Sequence, residues 1–110
     1  MIKYQVENNI SPDEFKELLI KSTLGERRPI DDLNRIAEMI KNANIIITAR
    51  DENKLVGIAR SITDFVYCTY LSDLAVDEEY QKKGIGKELI RFTKNETPQA
   101  NLILLAAPKA

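Results

Sequence analysis

Histidine and tryptophan are absent from this chain of 110 residues, and cysteine occurs once, at position 68. The lack of histidine excludes Ser-His-Asp and Cys-His catalysis. It also removes zinc sites of the Cys/His type, and we expect no metal. Cys68 has no cysteine partner for an internal disulfide, and we interpret it as a buried small hydrophobic residue rather than a nucleophile. A general base would have to be a carboxylate, a tyrosine, a lysine, the cysteine or a held water.

A strong charge of one sign and a long apolar run are also lacking. Basic residues number 16 and acidic residues 17, which gives a formal net charge of −1. This balance provides no bulk attraction to nucleic acid or to an anionic membrane, and we expect neither as a partner. No apolar run approaches the roughly 20 residues that span a bilayer, and the first residues lack a signal-peptide core, so we expect a cytoplasmic protein. The length predicts one domain over residues 1–110.

The first part of the chain predicts a strand followed by two helices. Alternating apolar and polar side chains over residues 2–7 indicate a half-buried strand. Ser11 and the acidic residues after it have the sequence of a capping box, which predicts a helix start. Asp31 or Asp32 can cap a second helix, whose apolar residues recur at helical spacing.

The rest of the chain predicts four strands and one helix. Residues 45–62 resemble an antiparallel hairpin, in which Gly57 indicates a bulge. A long strand is predicted over residues 65–76, and a helix over residues 85–92. Residues 101–107 read as a buried strand, parallel to its neighbour because a helix crosses between them. The element order is β-α-α-β-β-β-α-β, an α+β fold that becomes α/β at its C-terminal end.

A glycine-containing loop enters the last helix and carries the clearest chemical signal. Its sequence is Gln81-Lys82-Lys83-Gly84-Ile85-Gly86. Glycine allows backbone N–H groups to converge on an anion, and a helix N-terminus adds unpaired donors and partial positive charge. Three lysines lie nearby, which are Lys82, Lys83 and Lys87. The spacing fits neither a P-loop nor a dinucleotide fingerprint, whose third glycine would fall at Leu89. The loop therefore predicts a phosphate or pyrophosphate site.

The wider segment resembles a known motif. Leu74-Ala75-Val76, Tyr80-Gln81 and Gly84-Ile85-Gly86 are similar to motif A of the GNAT N-acetyltransferases, which has the form [QR]-x-x-G-x-[GA] at the end of the fourth strand. The preceding hairpin and the following parallel strand fit the same family. The resemblance implies a mixed, mainly antiparallel sheet flanked by helices, with acetyl-CoA as the cosubstrate. It also implies that an amine attacks the acetyl group directly, without a covalent acyl-enzyme.

Residue assignments follow from this resemblance. Main-chain groups of the loop would hold the pyrophosphate, and those of Leu74 and Val76 would pair with the pantetheine arm. The cofactor-binding residues implied are Leu74, Ala75, Val76, Gln81, Lys82, Lys83, Gly84, Ile85, Gly86 and Lys87.

Two residues of the fourth strand are candidates for the catalytic side. Asp73 occupies the acidic position of the family and is the candidate base, the alternative being a structural carboxylate that accepts backbone N–H groups. Tyr70 could line the acceptor side, the alternative being a core or edge tyrosine. The charges at residues 26–28 could close over the acceptor or belong to a solvated loop.

The resemblance covers the first two-thirds of the family fold, whose members continue with a helix and two more strands. It therefore implies a C-terminally shortened fold, with an apolar edge strand that would favour a homo-oligomer, such as a dimer. The leading hypothesis is transfer of an acetyl group from acetyl-CoA to a primary amine. The alternatives are a CoA-binding, non-catalytic or regulatory module, and an interaction domain whose glycines serve only a turn.

Overall fold

The computed structural model describes residues 1–22 and 24–104, and within them the predicted order of strands and helices is confirmed. Short 3₁₀ turns at Leu24–Arg27 and Glu78–Tyr80 were not predicted. The strands are β1 Ile2–Val6, β2 Ile45–Asp51, β3 Lys54–Thr63, β4 Cys68–Val76 and β5 Asn101–Ile103. The helices are α1 Pro12–Lys21, α2 Leu33–Lys41 and α3 Ile85–Glu96. Within the described part of the chain, no helix is long and apolar enough to cross a membrane.

The helices begin where side chains can cap them. Ser11 Oγ accepts the Glu14 N–H at 3.0 Å and starts α1. Of the two candidate caps of α2, Asp32 is the one that accepts a backbone N–H, from Arg35 at 3.1 Å. The last helix continues to Glu96, beyond its predicted end near residue 92. Thr93 is buried one turn after Leu89 and donates its hydroxyl to the Leu89 carbonyl at 2.8 Å, so a polar residue extends the buried face.

The five strands form one sheet in the order β1-β2-β3-β4-β5. The first four are antiparallel to their neighbours, and β5 is parallel to β4, as predicted. Ala49 pairs with Gly57 and Arg50 with Leu55, so Val56 is an extra residue in β3. The predicted bulge beside Gly57 is therefore confirmed.

Two apolar cores lie on opposite faces of this sheet. Helices α1 and α2 pack on one face, with Phe15 and Ile36 against Ile58 of β3. On the other face, α3 packs its residues Ile85 and Leu89 against the strands. Each helix thus buries a stripe of apolar side chains, and the sheet is covered on both faces.

The beginning of β4 differs from the prediction. Its first residue is Cys68 rather than residue 65, because the Asp64 carboxylate accepts the N–H groups of Val66, Tyr67 and Cys68 at 2.8 to 3.1 Å. Phe65 has a φ of 65°, which is incompatible with an extended strand. Cys68 is exposed rather than buried, because it lies at the end of β4 beyond both cores. The prediction of a buried cysteine is therefore wrong.

The last strand is shorter and more exposed than predicted. It pairs with β4 over three residues only, from Cys68↔Asn101 to Tyr70↔Ile103. Ile103 is 48% exposed and Leu104 39%, so the described part of this strand is not the buried strand that its apolar sequence predicts. It lies at the sheet edge, where only its middle residue, Leu102, packs against the core beneath α3. The predicted remainder, residues 105–107, lies outside the described residues.

Candidate functional site: a cleft between β4 and helix α3

A bulge in the middle of β4 determines which way its second half points. Arg60 of β3 pairs with Asp73 and Ser61 with Leu71, so Ser72 is an extra residue in β4. Leu71 belongs to the core beneath α3, whereas Ala75 belongs to the core beneath α1 and α2. Without the bulge, residues 71, 73 and 75 would share one face. The bulge therefore turns Asp73 toward the side of α1 and α2.

A cleft lies beside the second half of β4, where the strands β4 and β5 are no longer paired. Among the described residues, β5 pairs with β4 only as far as Tyr70. The cleft has a volume of about 280 Å³ and extends to the beginning of α3. Its lining residues are Ser22, Leu74, Ala75, Val76, Tyr80, Gln81, Lys82, Gly84, Ile85 and Gly86.

Main-chain groups of β4 are directed into this cleft. The Asp77 N–H donates to the Val56 carbonyl at 2.9 Å, so residue 77 points its main-chain groups toward β3. Because these groups alternate along a strand, those of Leu74 and Val76 point away from β3, toward the cleft. The Val76 carbonyl accepts the side-chain amide of Gln81 at 3.0 Å. The main-chain groups of Leu74 and the Val76 N–H can still pair with a polar, extended ligand arm.

The loop before α3 has the backbone shape that the glycines predict. Lys82 has a φ of 66° and Gly84 a φ of 82°, so both adopt the left-handed conformation. Gly84 is the N-cap and provides no side-chain hydrogen bond to the helix. The first N–H groups of α3 have no partner within the helix and carry its partial positive charge. At Gly84 and Gly86, an added Cβ would meet no atom within 4 Å, so both face open space.

Tyr80 lines the cleft and contacts charged residues outside it. Its hydroxyl donates to Asp51 Oδ2 at 2.8 Å, which raises the pKa of Tyr80 and lowers the pKa of Asp51. The ammonium groups of Lys54 and Lys83 lie 5.4 and 5.2 Å from the centre of its ring. Two cations are thereby held beside the loop by cation–π attraction.

The candidate base lies outside the lining of the cleft. Asp73 has no exposed surface, and its two carboxylate oxygens accept separately from the Nε groups of Arg28 and Arg60. It therefore matches neither a freely presented base nor a carboxylate that accepts backbone N–H groups. Tyr70 is 40% exposed and lies between Ile62 of β3 and Ile103 of β5, at the last β4–β5 pair.

The structure brings together most, but not all, of the residues assigned from the sequence. Eight of the ten predicted cofactor-binding residues line the cleft, and Lys83 and Lys87 do not. Sequence reasoning missed Ser22, which reaches the cleft from the end of α1 and has no motif that could reveal it. Tyr80 was part of the quoted motif but was not assigned to the site. Arg60 was missed because only the β3–β4 register brings it to Asp73.

Comparison with known proteins places the chain in one family. The sequence model of the Acetyltransferase (GNAT) family matches residues 12–107. A histone acetyltransferase of Glycine max is 31% identical over 75 residues, which cover 58% of this chain and 31% of that protein. The chloroplastic GCN5-related N-acetyltransferase 2 of Arabidopsis thaliana is 42% identical over 41 residues, or 37% of this chain and 16% of that protein. The matched regions are thus less than a third of these curated relatives.

Solved structures show the same fold. A GNAT-family acetyltransferase of Streptococcus pneumoniae superposes with a TM-score of 0.84 at 20% identity, over 99% of this chain and 78% of that one. An aminoglycoside 6'-N-acetyltransferase complexed with coenzyme A has a TM-score of 0.73 at 24% identity, over 94% of this chain and 60% of that one. With the glycine loop, the bulged β4 and the match over residues 12–107, the chain belongs to the GNAT family of acetyltransferases.

Proposed function

We propose that the cleft beside β4 binds acetyl-CoA and that the chain transfers the acetyl group to a primary amine. The observation that carries this proposal is that two sets of main-chain hydrogen-bonding groups line the same cleft. The main-chain groups of Leu74 and Val76 lie on one wall, and the unpaired N–H groups at the start of α3 lie on another. The first set suits an extended amide-containing arm, and the second suits a pyrophosphate.

Each part of the loop has a role in this proposal. Gly84 and Gly86 leave free space in which phosphate oxygens can approach the backbone. Lys82, a lining residue, adds a cation, and Lys83 lies close by over the Tyr80 ring. The cleft is smaller than a whole coenzyme A, so we place the pyrophosphate and the pantetheine arm in it and leave the nucleoside outside.

The acyl transfer itself requires few side chains. The thioester supplies the acetyl group, and a neutral amine can attack its carbonyl carbon directly. Main-chain N–H groups on the open edge of β4, such as that of Leu74, can stabilise the oxyanion that develops. Tyr70, exposed where β4 and β5 part, is placed to line the acceptor side.

The binding step is tested by calorimetric titration with acetyl-CoA of the parent chain and of Gly86→Glu. Position 86 is open and helical, and an acidic residue in the first turn favours the helix, so this variant should fold. Its carboxylate should occupy the cradle, repel the pyrophosphate and weaken binding by more than about tenfold. Asn95→Glu, which adds the same charge at the exposed far end of α3, is the control and should bind like the parent.

Two results would contradict the binding proposal. One is the absence of heat on titrating a folded parent chain to about 1 mM acetyl-CoA. The other is equal weakening of binding in Gly86→Glu and Asn95→Glu. The added negative charge alone would then explain the weaker binding, whatever its position on α3.

The alternative function is a CoA-binding module without turnover. It is favoured by one observation, the engagement of both Asp73 oxygens by guanidinium groups, which leaves β4 without a free carboxylate. Release of CoA thiol is therefore measured with a histone-tail peptide, an aminoglycoside and spermidine as acceptors. Amine-dependent release supports the transferase, whereas binding without release from any of the three supports the module.

A further inference from the structure

A buried charge cluster holds β4 at its bulge, and we call its members Arg28, Arg60 and Asp73 the arginine clasp. Asp73 is completely buried, and the side chains of Arg28 and Arg60 are 22% and 11% exposed. One guanidinium donates to each carboxylate oxygen. A buried carboxylate is tolerated only when it is paired and hydrogen-bonded, and here both oxygens are satisfied.

The same guanidinium groups also fix Ser72, the extra residue of the bulge. Arg28 Nη2 donates to the Ser72 carbonyl at 2.9 Å, and Arg60 Nη2 donates to Ser72 Oγ at 3.3 Å. Arg60 Nη1 donates in addition to the Met39 carbonyl of α2 at 3.2 Å. The clasp therefore joins the segment between α1 and α2, the helix α2, and the strands β3 and β4.

The position of the clasp links it to the cleft. Ser72 lies two residues before Leu74, and the bulge determines that the main-chain groups of Leu74 and Val76 point into the cleft. Arg28 attaches the segment between α1 and α2 to the same point of β4. The rigid, planar guanidinium of Arg28 donates to the Asp73 carboxylate and to the Ser72 carbonyl in one fixed geometry, which the flexible ammonium of a lysine does not provide.

We propose that Arg28, Arg60 and Asp73 are positioning residues, which fix the bulge and fasten residues 24–32 to β4, and that Asp73 takes no proton during acetyl transfer. The part of this inference that concerns transfer rests on the proposed function. The part that concerns the bulge and the attached segment does not.

The structural part is tested by amide hydrogen exchange in Arg28→Gln, Asp73→Asn and the double variant. Residues 24–32 and 70–74 should exchange about tenfold faster or more in each single variant, because a charge-assisted contact is lost. The double variant should add little to Asp73→Asn, since that variant already removes the carboxylate that pairs with Arg28. Arg91→Gln breaks an exposed pair with Glu88 and is the control, expected to leave both segments unchanged.

Two exchange results would overturn the clasp. Unchanged exchange of residues 24–32 in Arg28→Gln is the first. Equal acceleration over the whole chain is the second, because it would make the cluster a contributor to global stability only. Arg28→Gln is the milder substitution, since Arg28 is partly exposed, and it keeps the test valid if Asp73→Asn does not fold.

The chemical part is tested by acetyl transfer to the three acceptors named above. Positioning predicts that Arg28→Gln and Asp73→Asn both lower kcat/KM for the amine and both raise the KM for acetyl-CoA, because the bulge directs the main-chain groups of Leu74 and Val76 into the cleft. A fall in kcat of more than about tenfold in Asp73→Asn, with the parent's KM for acetyl-CoA, would give the carboxylate a chemical role and overturn this part. If neither the parent nor any variant acetylates any of the three acceptors, the proposed transferase activity fails. The structural role of the clasp is then judged by hydrogen exchange alone.

Discussion

At the scale of single residues, Gly57 and Gly86 differ in why a side chain is absent. A Cβ at Gly57 would lie 3.1 Å from both Ile85 Cγ2 and Leu89 Cδ1, so this glycine permits close packing of α3 on β3. At Gly86, a Cβ would meet nothing within 4 Å, so packing does not require glycine there. The free space at Gly86 opens on the cleft, which is consistent with a place reserved for a ligand.

Replacing Gly57 by alanine should destabilise the chain. The added methyl group has to displace Ile85 and Leu89, which are fully or almost fully buried, and overpacking of this kind costs about 1–3 kcal/mol. The free energy of unfolding from urea denaturation measures the effect. Because α3 carries the donors of the loop, its displacement should also weaken acetyl-CoA binding.

Gly86→Ala is the matched control, with the opposite sign expected for stability. Alanine in the first turn of a helix should raise the free energy of unfolding by about 0.5–1 kcal/mol, since nothing obstructs its methyl group. Equal stability of Gly57→Ala and the parent would show that α3 can move away from β3 without cost, contrary to the packing argument.

At the scale of elements, a polar network joins β1, α1 and β2 at the sheet edge opposite β5. The Arg50 guanidinium donates to Glu7 of the chain segment after β1 at 2.7 and 3.0 Å, and to Glu14 of α1 at 2.8 and 3.2 Å. Thr48 donates its hydroxyl to Glu7 at 2.7 Å. The hydrogen bond from Arg50 is the main cause that lowers the pKa of Glu7.

This network should make stability fall in acid. Since the pKa of Glu7 is lower in the folded chain than in the unfolded chain, its contribution is complete above the usual glutamate value. The contribution is lost as the pH falls through the lowered value, because the unfolded chain then binds more protons. The thermal midpoint, measured from about pH 7 to about pH 3, should therefore depend less steeply on pH in Glu7→Gln than in the parent.

Glu17→Gln provides the control for this titration, because it removes an exposed carboxylate of α1 that pairs with Lys21 on the same helix. Its pH dependence should match that of the parent. The network argument would be refuted by equally steep profiles for the parent and Glu7→Gln.

The element order, the parallel pairing of β4 and β5 and the bulge beside Gly57 were predicted, whereas the bulge at Ser72 and the contacts it creates were not. Helix starts at Ser11 and Asp32 follow from capping chemistry within four residues of sequence. The bulge at Ser72 depends on the register with β3, which no local pattern encodes. The same limit explains the site: a motif identified the loop, whereas Asp73 was assigned without the two arginines that other elements bring to it.

At the scale of the whole molecule, apolar surface is concentrated around the β5 edge of the sheet. Both faces of the central strands are covered by helices, but the strand ends near the β3–β4 connection are not. Several large apolar residues are exposed in this region. They are Ile62, Phe65, Val66, Tyr67, Tyr70, Ile103 and Leu104. Within the described residues, the outer edge of β5 pairs with no strand. Such an edge favours pairing with another chain.

We therefore propose that the chain associates with a second copy through β5 and the apolar residues around it. Sedimentation analysis over a range of concentrations should show a mass above that of the 12.5 kDa monomer. Ile103→Lys places a charge on the exposed edge, which should shift the equilibrium toward the monomer while the fold persists, since Ile103 is 48% exposed. Ile20→Lys, at a 51% exposed position of α1 away from this edge, is the control and should associate like the parent. A parent chain that remains monomeric at every concentration would contradict self-association, and equal effects of both lysines would place the contact elsewhere.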